Sequence, residues 1–522
     1  MQSLGRLDEA CTEISRSLLE YESPTSADVR AEIRKACVRY SLKKIPKNRE
    51  ILAAAGGDGF ERLRHLLLKK PVKTASGVAV IAVMPMPYAC PHGRCTYCPG
   101  GKASNTPNSY TGGEPIAAGA MNSGYDPGSQ VRAGLARLRA HGHDAAKLEI
   151  VIVGGTFLFM PQEYQEWFVK SCYDALNGSA SSGIEDAKHL NETAAHRNVG
   201  LTIETKPDYC KRVHVDAMLG FGATRVEIGV QSLQEEVYKR VNRGHNYQDV
   251  VESFAAAKDA GYKVAAHMMP GLPGATPEGD IEDMRMLFED PALRPDMLKI
   301  YPALVVRGTP MYDEYARGEY SPYTEEEAVR VLSEAKARVP RWARIMRVQR
   351  EIHPDEIVAG PKSGNLRQLV HKRLQEQGRR CRCIRCREAG LAGRTGPRDL
   401  RIDRADYAAS GGTESFISLV DNDDAVYGFV RMRRPSIEAH RPEVSPESCI
   451  IRELHVYGRS LGLGERGGIQ HSGLGRRLVS EAESVSAEFG AKRLLVISAV
   501  GTRGYYSRLG YSRRGPYMEK IL

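Results

Sequence analysis

The sequence predicts an α/β protein. A partial parallel (β/α) barrel is followed by a smaller α/β unit, with a basic helical segment ahead of them and a cysteine-rich segment between. Three observations predict this. Between residues 74 and 310, short β-rich runs alternate with longer helical ones, the pattern of repeated βα units. Glycines and polar residues fall just after those runs, at the strand ends where such folds collect ligands. From about residue 401 the pattern becomes hairpin, strand, Gly-rich loop and helix.

The chain has 522 residues, 42% hydrophobic and 26% charged, ordinary values for a globular protein of several domains. No apolar run approaches the ~18 residues that span a bilayer, and the first residues carry no signal-like apolar stretch. The expectation is a cytoplasmic protein with no membrane partner. Of eleven cysteines, three cluster at 90–98 and three at 381–386 while five are scattered, which favours metal sites over a disulfide framework. The net charge of +10 is uneven: residues 27–73 carry thirteen Lys/Arg against five Asp/Glu, and residues 367–398 carry ten against two. Two basic regions on one chain point to a polyanion, with nucleic acid the first candidate and solvated helix faces the plain alternative.

Residues 1–73 read as helical, with Ala27 to Leu42 at helical spacing and a second stretch broken at Gly56–Gly59. Lys and Arg at these spacings could track phosphates without reading bases, so this is a docking region and not a catalytic one. Residues 74–310 hold the barrel. Its strands are expected at Val78 to Met84, Leu148 to Val153, Gly200 to Glu204, Arg225 to Val230, Val264 to Met269 and Met297 to Val305. Helices include Gly128 to His141 and Gln248 to Ala260.

The loop after the first strand carries Cys90, Cys95 and Cys98 at C-x4-C-x2-C spacing. Three thiolates can hold three irons of a four-iron cluster and leave the fourth open to a small molecule. A zinc site lacking a ligand and ordinary buried cysteines are the other readings. After the later strands come Gly154-Gly155-Thr156, Glu204, Gln231 and Pro270 to Gly274. Any one of these could be a turn; all in order behind a cysteine triad is a much stronger pattern.

Residues 311–400 read as a linker with one strong helix, Glu325 to Val339. It ends in Cys381, Cys383 and Cys386 among arginines. C-x-C-x2-C is close enough for one metal, with zinc favoured. A fourth ligand could come from His353, His371 or Cys449. In residues 401–522 a hairpin is expected at Ser415 to Val420 and Val426 to Met432, then a strand from Cys449 to Tyr457. Gln470-His471-Ser-Gly473-Leu474-Gly475 follows, opening a helix from Arg476 to Phe489. Glycines at a helix start let backbone N–H groups approach a pyrophosphate.

These motifs resemble the radical S-adenosylmethionine (SAM) enzymes, whose triad is usually C-x3-C-x2-C; this chain has one more residue in the first gap. The narrower resemblance is to the family of the Elongator catalytic subunit. It rests on Cys98-Pro-Gly-Gly, Asn108-Ser-Tyr-Thr-Gly, Tyr125-Asp-Pro, Gly154-Gly-Thr-Phe, Ile203 to Cys210, Ile450 to Gly458 and Gly501 to Tyr511. The resemblance implies a radical SAM barrel joined to a GNAT-type acetyltransferase unit. Cys90, Cys95 and Cys98 would hold a [4Fe-4S] cluster. Gly154, Gly155 and Thr156 would meet the SAM amino group, with Glu204 near its ribose and Gln231 in the same cavity. Lys147 would lie at the acetyl-CoA site, where Glu453, Leu454, His455 and Val456 would line pantetheine and acetyl group. Gly473 to Gly475, behind Gln470 and His471, would hold the pyrophosphate, and Tyr505 would close over the thioester. Tyr505 and Tyr506 are candidate proton donors to the leaving thiolate, with core aromatics the alternative.

The activity so implied is 5-carboxymethyluridine formation at the tRNA wobble position, by a SAM-derived radical acting on acetyl-CoA. The expected partners are the tRNA anticodon stem-loop, an external electron donor and, as one option, a second copy of the chain. The competing expectations are a protein lysine acetyltransferase with a structural cluster, another radical SAM RNA modifier with a second cluster, and a non-catalytic RNA-binding protein.

Overall fold

The computed structural model describes residues 2–69, 74, 77–392, 394, 399–458 and 473–522. Helices Gln2–Glu20, Ser26–Arg39, Asn48–Ala55 and Gly57–Leu63 pack around Ala10, Ile14, Leu18, Ile51 and Leu52. The break expected at the glycines falls at Gly56, whose φ of 57° L side chains rarely adopt. Thr25 starts the second helix through a capping box with Asp28.

The barrel sheet begins with β1 (Ala79–Val83), β2 (Lys147–Ile152), β3 (Arg197–Thr205), β4 (Arg225–Gln231), β5 (Lys263–Met268) and β6 (Met297–Ile300). All six run parallel in chain order. The single strand expected over Met297 to Val305 is instead two. Pro302 cannot donate to the ladder, so β6 stops at Ile300 and β7 (Val305–Val306) forms after the break. A seventh parallel strand, β8 (Arg344–Arg347), joins β6 from within the segment read as a linker, and β9 (Ile357–Ala359) pairs antiparallel with β7. Alternate residues of this curled sheet face in opposite directions. Leu148, Ile150 and Ile152 are packed into the main hydrophobic core, whereas Lys147, Glu149 and Val151 line the lumen.

The carboxy-terminal sheet is formed by β10 (Arg401–Ala409), β11 (Gly412–Val420), β12 (Val426–Arg434), β13 (Ser448–Val456), β14 (Arg493–Val496), β15 (Ser512–Arg514) and β16 (Tyr517–Ile521). Its order is β10-β11-β12-β13-β14-β16-β15, with one parallel step between β13 and β14. That parallel pairing covers only Ser448 to Ile451. Arg452 is the extra residue of a bulge against β12, after which Glu453 to Val456 run on beside β12. Helix Leu474–Glu488 packs across this sheet.

The two sheets meet at one mouth of the barrel. Every barrel residue in the following contacts precedes or opens its strand. Arg452 donates to the Tyr262 carbonyl and, through two nitrogens, to Asp296 at 2.8 and 2.6 Å. Arg433 reaches Asp259 at 2.6 Å, Arg344 donates to the Tyr457 hydroxyl at 2.8 Å, and Gly501 lies against Arg197. Glu414 accepts from both Arg433 and Arg452 at 3.0 and 2.7 Å, and Lys258 donates to the Arg294 carbonyl at 2.6 Å. These charges are almost wholly dehydrated. Burial would raise the Asp296 carboxyl, but Arg452, Lys258 and Arg431 more than offset it and hold the group far below the usual range.

Removing one partner from a buried ion network leaves dehydrated charge, a loss of roughly 3–5 kcal/mol. Arg452→Met takes the two-nitrogen partner from Asp296 and one of two arginines from Glu414. It is expected to lower unfolding stability by that order in urea titrations; a change below about 1 kcal/mol would mean the network carries no structural weight.

Candidate functional site

The loop after β1 brings the cysteine triad to the carboxy-terminal mouth of the barrel. The turn from Cys90 closes at Gly93, whose amide donates to the Cys90 carbonyl at 3.1 Å with φ at 85°, which accommodates the longer first gap. Asn108 Nδ2 donates to the Cys90 sulfur at 3.1 Å, and the Ser109 amide to the Cys98 sulfur at 3.1 Å. Cys95 lies 3.1 Å from His92 Nε2 and 3.7 Å from the buried Arg243 guanidinium. Burial pushes the Cys90 thiol up and, together with the neighbouring Cys95, pushes Cys98 up to about 11. N–H donors aimed at sulfur and a dehydrated cation facing it suit thiolates that have exchanged protons for metal. Gly100 is required here: a Cβ would stand 2.3 Å from the Pro107 carbonyl oxygen.

Around the same mouth sit the strand-end residues. Gly154 and Gly155 have φ of 114° and 98°, and a Cβ on Gly154 would press on Met84 and Pro107 at 3.0–3.1 Å. Thr156 lies 3.8 Å from the Cys90 sulfur. Gln231 takes φ of 75° as β4 ends, its carbonyl accepting from Met269. Asp280 braces the Pro270 to Gly274 loop by accepting from the Gly271 amide at 2.7 Å and the Tyr323 hydroxyl at 2.6 Å.

A continuous cavity of about 1010 Å³ runs from this mouth down the lumen to the carboxy-terminal unit. At one end it touches Cys90, Cys95, Cys98, Gly155, Thr156, Glu204 and Gln231. At the other it touches Lys147 and Glu453 to Tyr457. Between them lie charges that lay unrecognised in the sequence. Arg225 bridges Glu149 at 2.6 Å and Glu227 at 3.4 Å; Glu227 takes Lys299 and, at 2.9 Å, His267; Lys299 lies 3.5 Å from Glu204. Burial opposes the Glu227 charge, but Lys299, the His267 hydrogen bond and Arg225 hold its carboxyl well below the ordinary range. Glu204, Glu227 and His267 come within 4.8 Å of one another, but with the Lys299 ammonium against them they form an ion network and not a cation site. The signal that could have found them is charge at every second position of otherwise apolar strands.

Glu453 pairs with Arg431 at 3.5 Å, and His455 stacks on Phe429 with ring centroids 6.1 Å apart. Leu454, Val456 and Leu474 pack against the carboxy-terminal core. Gly473 caps the helix that starts at Leu474, in the left-handed conformation. A Cβ on Gly475 would meet the Tyr505 hydroxyl at 2.9 Å and Val456 at 3.8 Å, so the helix start, β13 and Tyr505 converge. The Tyr505 hydroxyl is buried with no hydrogen bond among the described residues. Tyr506 packs into the core of this sheet, edge-on to Tyr505 and Tyr511. Gln470 and His471 lie outside the described residues.

In the cysteine knuckle, the sulfurs of Cys381, Cys383 and Cys386 lie within 4.8 Å of one another. His371 Nε2 lies 3.9 Å from the Cys386 sulfur. Of the other two fourth-ligand candidates, His353 is exposed beside Asp355, and Cys449 is buried in the carboxy-terminal core.

The sequence profile of the ELP3 N-terminal domain matches residues 7–75, that of the radical SAM superfamily residues 84–288, and that of the radical SAM C-terminal domain residues 295–376. The chain is 44% identical over 526 residues to the tRNA uridine(34) acetyltransferase of Methanocaldococcus infernus, covering 98% of each. It is 41% identical over 526 residues to human Elongator complex protein 3, covering 98% of this chain and 96% of the human one. The chain belongs to the Elongator complex protein 3 family. A solved structure of that family, archaeal Methanocaldococcus infernus Elp3 with an N-terminal deletion (1–46), is similar at a TM-score of 0.76 and 42% identity, covering 86% of this chain and 100% of that one. The radical SAM unit of an Elongator complex protein 3 relative implies SAM and a [4Fe-4S] cluster as cofactors, and the amide-decorated triad fits the cluster. Among the described residues no helix is long and apolar enough to cross a membrane.

Burial pushes the Asp280 carboxyl up to about 7. Its folded pKa therefore exceeds the unfolded value of about 4, so the group opposes folding increasingly as pH rises through that window. The melting-temperature gain of Asp280→Asn over the parent is expected to grow between pH 4 and 7 and level off above; a gain independent of pH would contradict the assignment.

Proposed function

We propose that this chain converts the wobble uridine of tRNA to 5-carboxymethyluridine, using a SAM-derived radical and acetyl-CoA. The observation that carries this reading is the single cavity with the cysteine triad at one end and Glu453 to Tyr457 at the other. Two unrelated activities would have no use for a shared interior. The names of the relatives, a tRNA uridine(34) acetyltransferase and Elongator complex protein 3, support it.

Cys90, Cys95 and Cys98 would hold the cluster, with Asn108, Ser109 and Arg243 stabilising negative charge on sulfur. When bound, cluster and SAM supply a carbon-centred radical able to take hydrogen from an acetyl methyl group. Gly154, Gly155 and Thr156 would receive the SAM amino group, with Glu204 at its ribose and Gln231 alongside. At the opposite mouth Lys147 would meet the acyl-CoA. Glu453 to Val456 would line the pantetheine and acetyl group. Gly473, Leu474 and Gly475, opening the helix, would take the pyrophosphate on free N–H groups. Tyr505, its hydroxyl buried beside Gly475, would donate a proton to the departing thiolate.

The arginine-rimmed knuckle would hold Zn2+ through Cys381, Cys383, Cys386 and His371. The thiol-rich donor set suits zinc, and the buried Lys336 ammonium, which has no hydrogen bond among the described residues, would balance its negative charge. This knuckle and the basic amino-terminal helices would grip the tRNA backbone while the anticodon loop presents an unstacked base. An external donor would reduce the cluster, in the cytoplasm.

An anaerobic assay with SAM, reductant, acetyl-CoA and total tRNA tests the reading. The expected result is tRNA-stimulated CoA release with a carboxymethylated uridine, from protein holding about four irons and about one zinc. CoA release with peptides and none with tRNA would replace it by a lysine acetyltransferase. Iron near eight per chain would replace it by a two-cluster RNA modifier.

A further inference from the structure

The acyl site and the radical site lie at opposite mouths of the barrel. Lys147 opens β2, and Gly154 follows its end, seven residues on; at about 3.3 Å per residue they are separated by roughly 20 Å. A short-lived radical formed at the cysteine end cannot act on an acetyl group left at the other. We propose that the lumen of the half-barrel is a binding site for the acyl-pantetheine arm, which threads between the two mouths and delivers the acetyl group to the SAM side. This rests on the acetyl-CoA reading above.

Three features support the passage. The cavity is continuous along the lumen and is lined by residues of β1 to β6. Its length is of the order of an extended phosphopantetheine arm. The lining also has the chemistry for one: pantetheine carries two amides and a hydroxyl, which need partners when taken out of water. Halfway along, the side chains of Glu149, His267 and Lys299 keep 17%, 11% and 9% exposure at the cavity wall, an acceptor and donors of the kind an amide requires. Each is also paired within the wall, Glu149 with Arg225 and Thr202 and both His267 and Lys299 with Glu227, so the wall is polar without a large net charge. Apolar surface adjoins it: Val80, 51% exposed, is the cross-strand neighbour of Glu149 in the β1–β2 register, and Val151 follows Glu149 on the same face.

Bromoacetyl-CoA tests the passage without SAM, iron chemistry or tRNA. A cysteine sulfur within reach of the acyl end displaces bromide and forms a thioether, and peptide mapping separates each engineered site from the native cysteines. Val151→Cys reports the middle of the lumen, Val199→Cys, which lines the cavity beside Lys147, the acyl-CoA mouth, and Ile150→Cys, packed on the other face of the same strand as Val151, the background. The expected result is labelling of Val199→Cys, with Val151→Cys labelled at least roughly tenfold faster than Ile150→Cys and suppressed by excess CoA. Adding Val80→Trp should slow the Val151→Cys reaction by about as much while Val199→Cys still reacts. Labelling of Val199→Cys with Val151→Cys no faster than Ile150→Cys would overturn the passage and leave acetyl-CoA binding standing. An unchanged rate with Val80→Trp would also overturn it, since the reagent would then arrive by another route. No CoA-sensitive labelling at Val199→Cys would overturn both.

Discussion

The rest of the molecule depends on the dehydrated charge network that ties Arg431, Arg433 and Arg452 of the carboxy-terminal sheet to Asp259 and Asp296 of the barrel. Each arginine arrives on a strand that also shapes the acyl site. Arg452 is the bulge residue that ends the β13–β14 pairing, and Glu453 beside it touches the cavity. Networks of this kind are a poor source of net stability, because dehydrating the charges offsets most of their attraction. Their geometry admits one docking pose. A hydrophobic interface could slide, whereas an Arg–carboxylate fork matched at two nitrogens cannot shift without stranding charge. The network therefore fixes which strand ends face each other, and hence that the two halves share one interior.

That interior is a sequence of polar sites differing in what completes them. Along the lumen, Arg225, Glu227, His267 and Lys299 complete one another. Around the cysteine triad, Arg243 faces sulfur with its Nε unpartnered among the described residues, and Lys336 stands the same way near the knuckle cysteines. A buried cation facing neutral thiols is an expensive arrangement; facing thiolates that bind metal, it is a compensated one. The same physical rule thus links the cluster loop and the knuckle.

Much of this was legible in the sequence, and the illegible parts share a cause. The six barrel strands stood out because apolar β-rich runs were followed by glycine or charge, and the cysteine loop because thiols close together have few other uses. β8 escaped notice because Arg-Ile-Met-Arg is half charged; its Arg344 is drawn inward by Glu388 and Tyr457, a tertiary fact. β10 escaped for the same reason, with Arg401, Asp403, Arg404 and Asp406 along its length. Pro302 should have divided the strand drawn through it. That His371, of three candidates, lies 3.9 Å from the Cys386 sulfur needed the fold, since a helix fifteen residues upstream has to turn back over the knuckle. What local pattern cannot carry is which mouth of a barrel a later domain will cover, and the site depends on that.

The central claim is that the acetyl group and the radical meet inside one protein. Acetyl-CoA deuterated at the methyl group, supplied anaerobically with SAM, reductant and tRNA, tests it most directly. The expected result is deuterium in 5′-deoxyadenosine that appears with turnover of the acyl-CoA, and a carboxymethyl group on uridine that retains the remaining label. Deuterium absent from 5′-deoxyadenosine while CoA is still released would contradict the claim and leave two chemistries that share a chain but not a site.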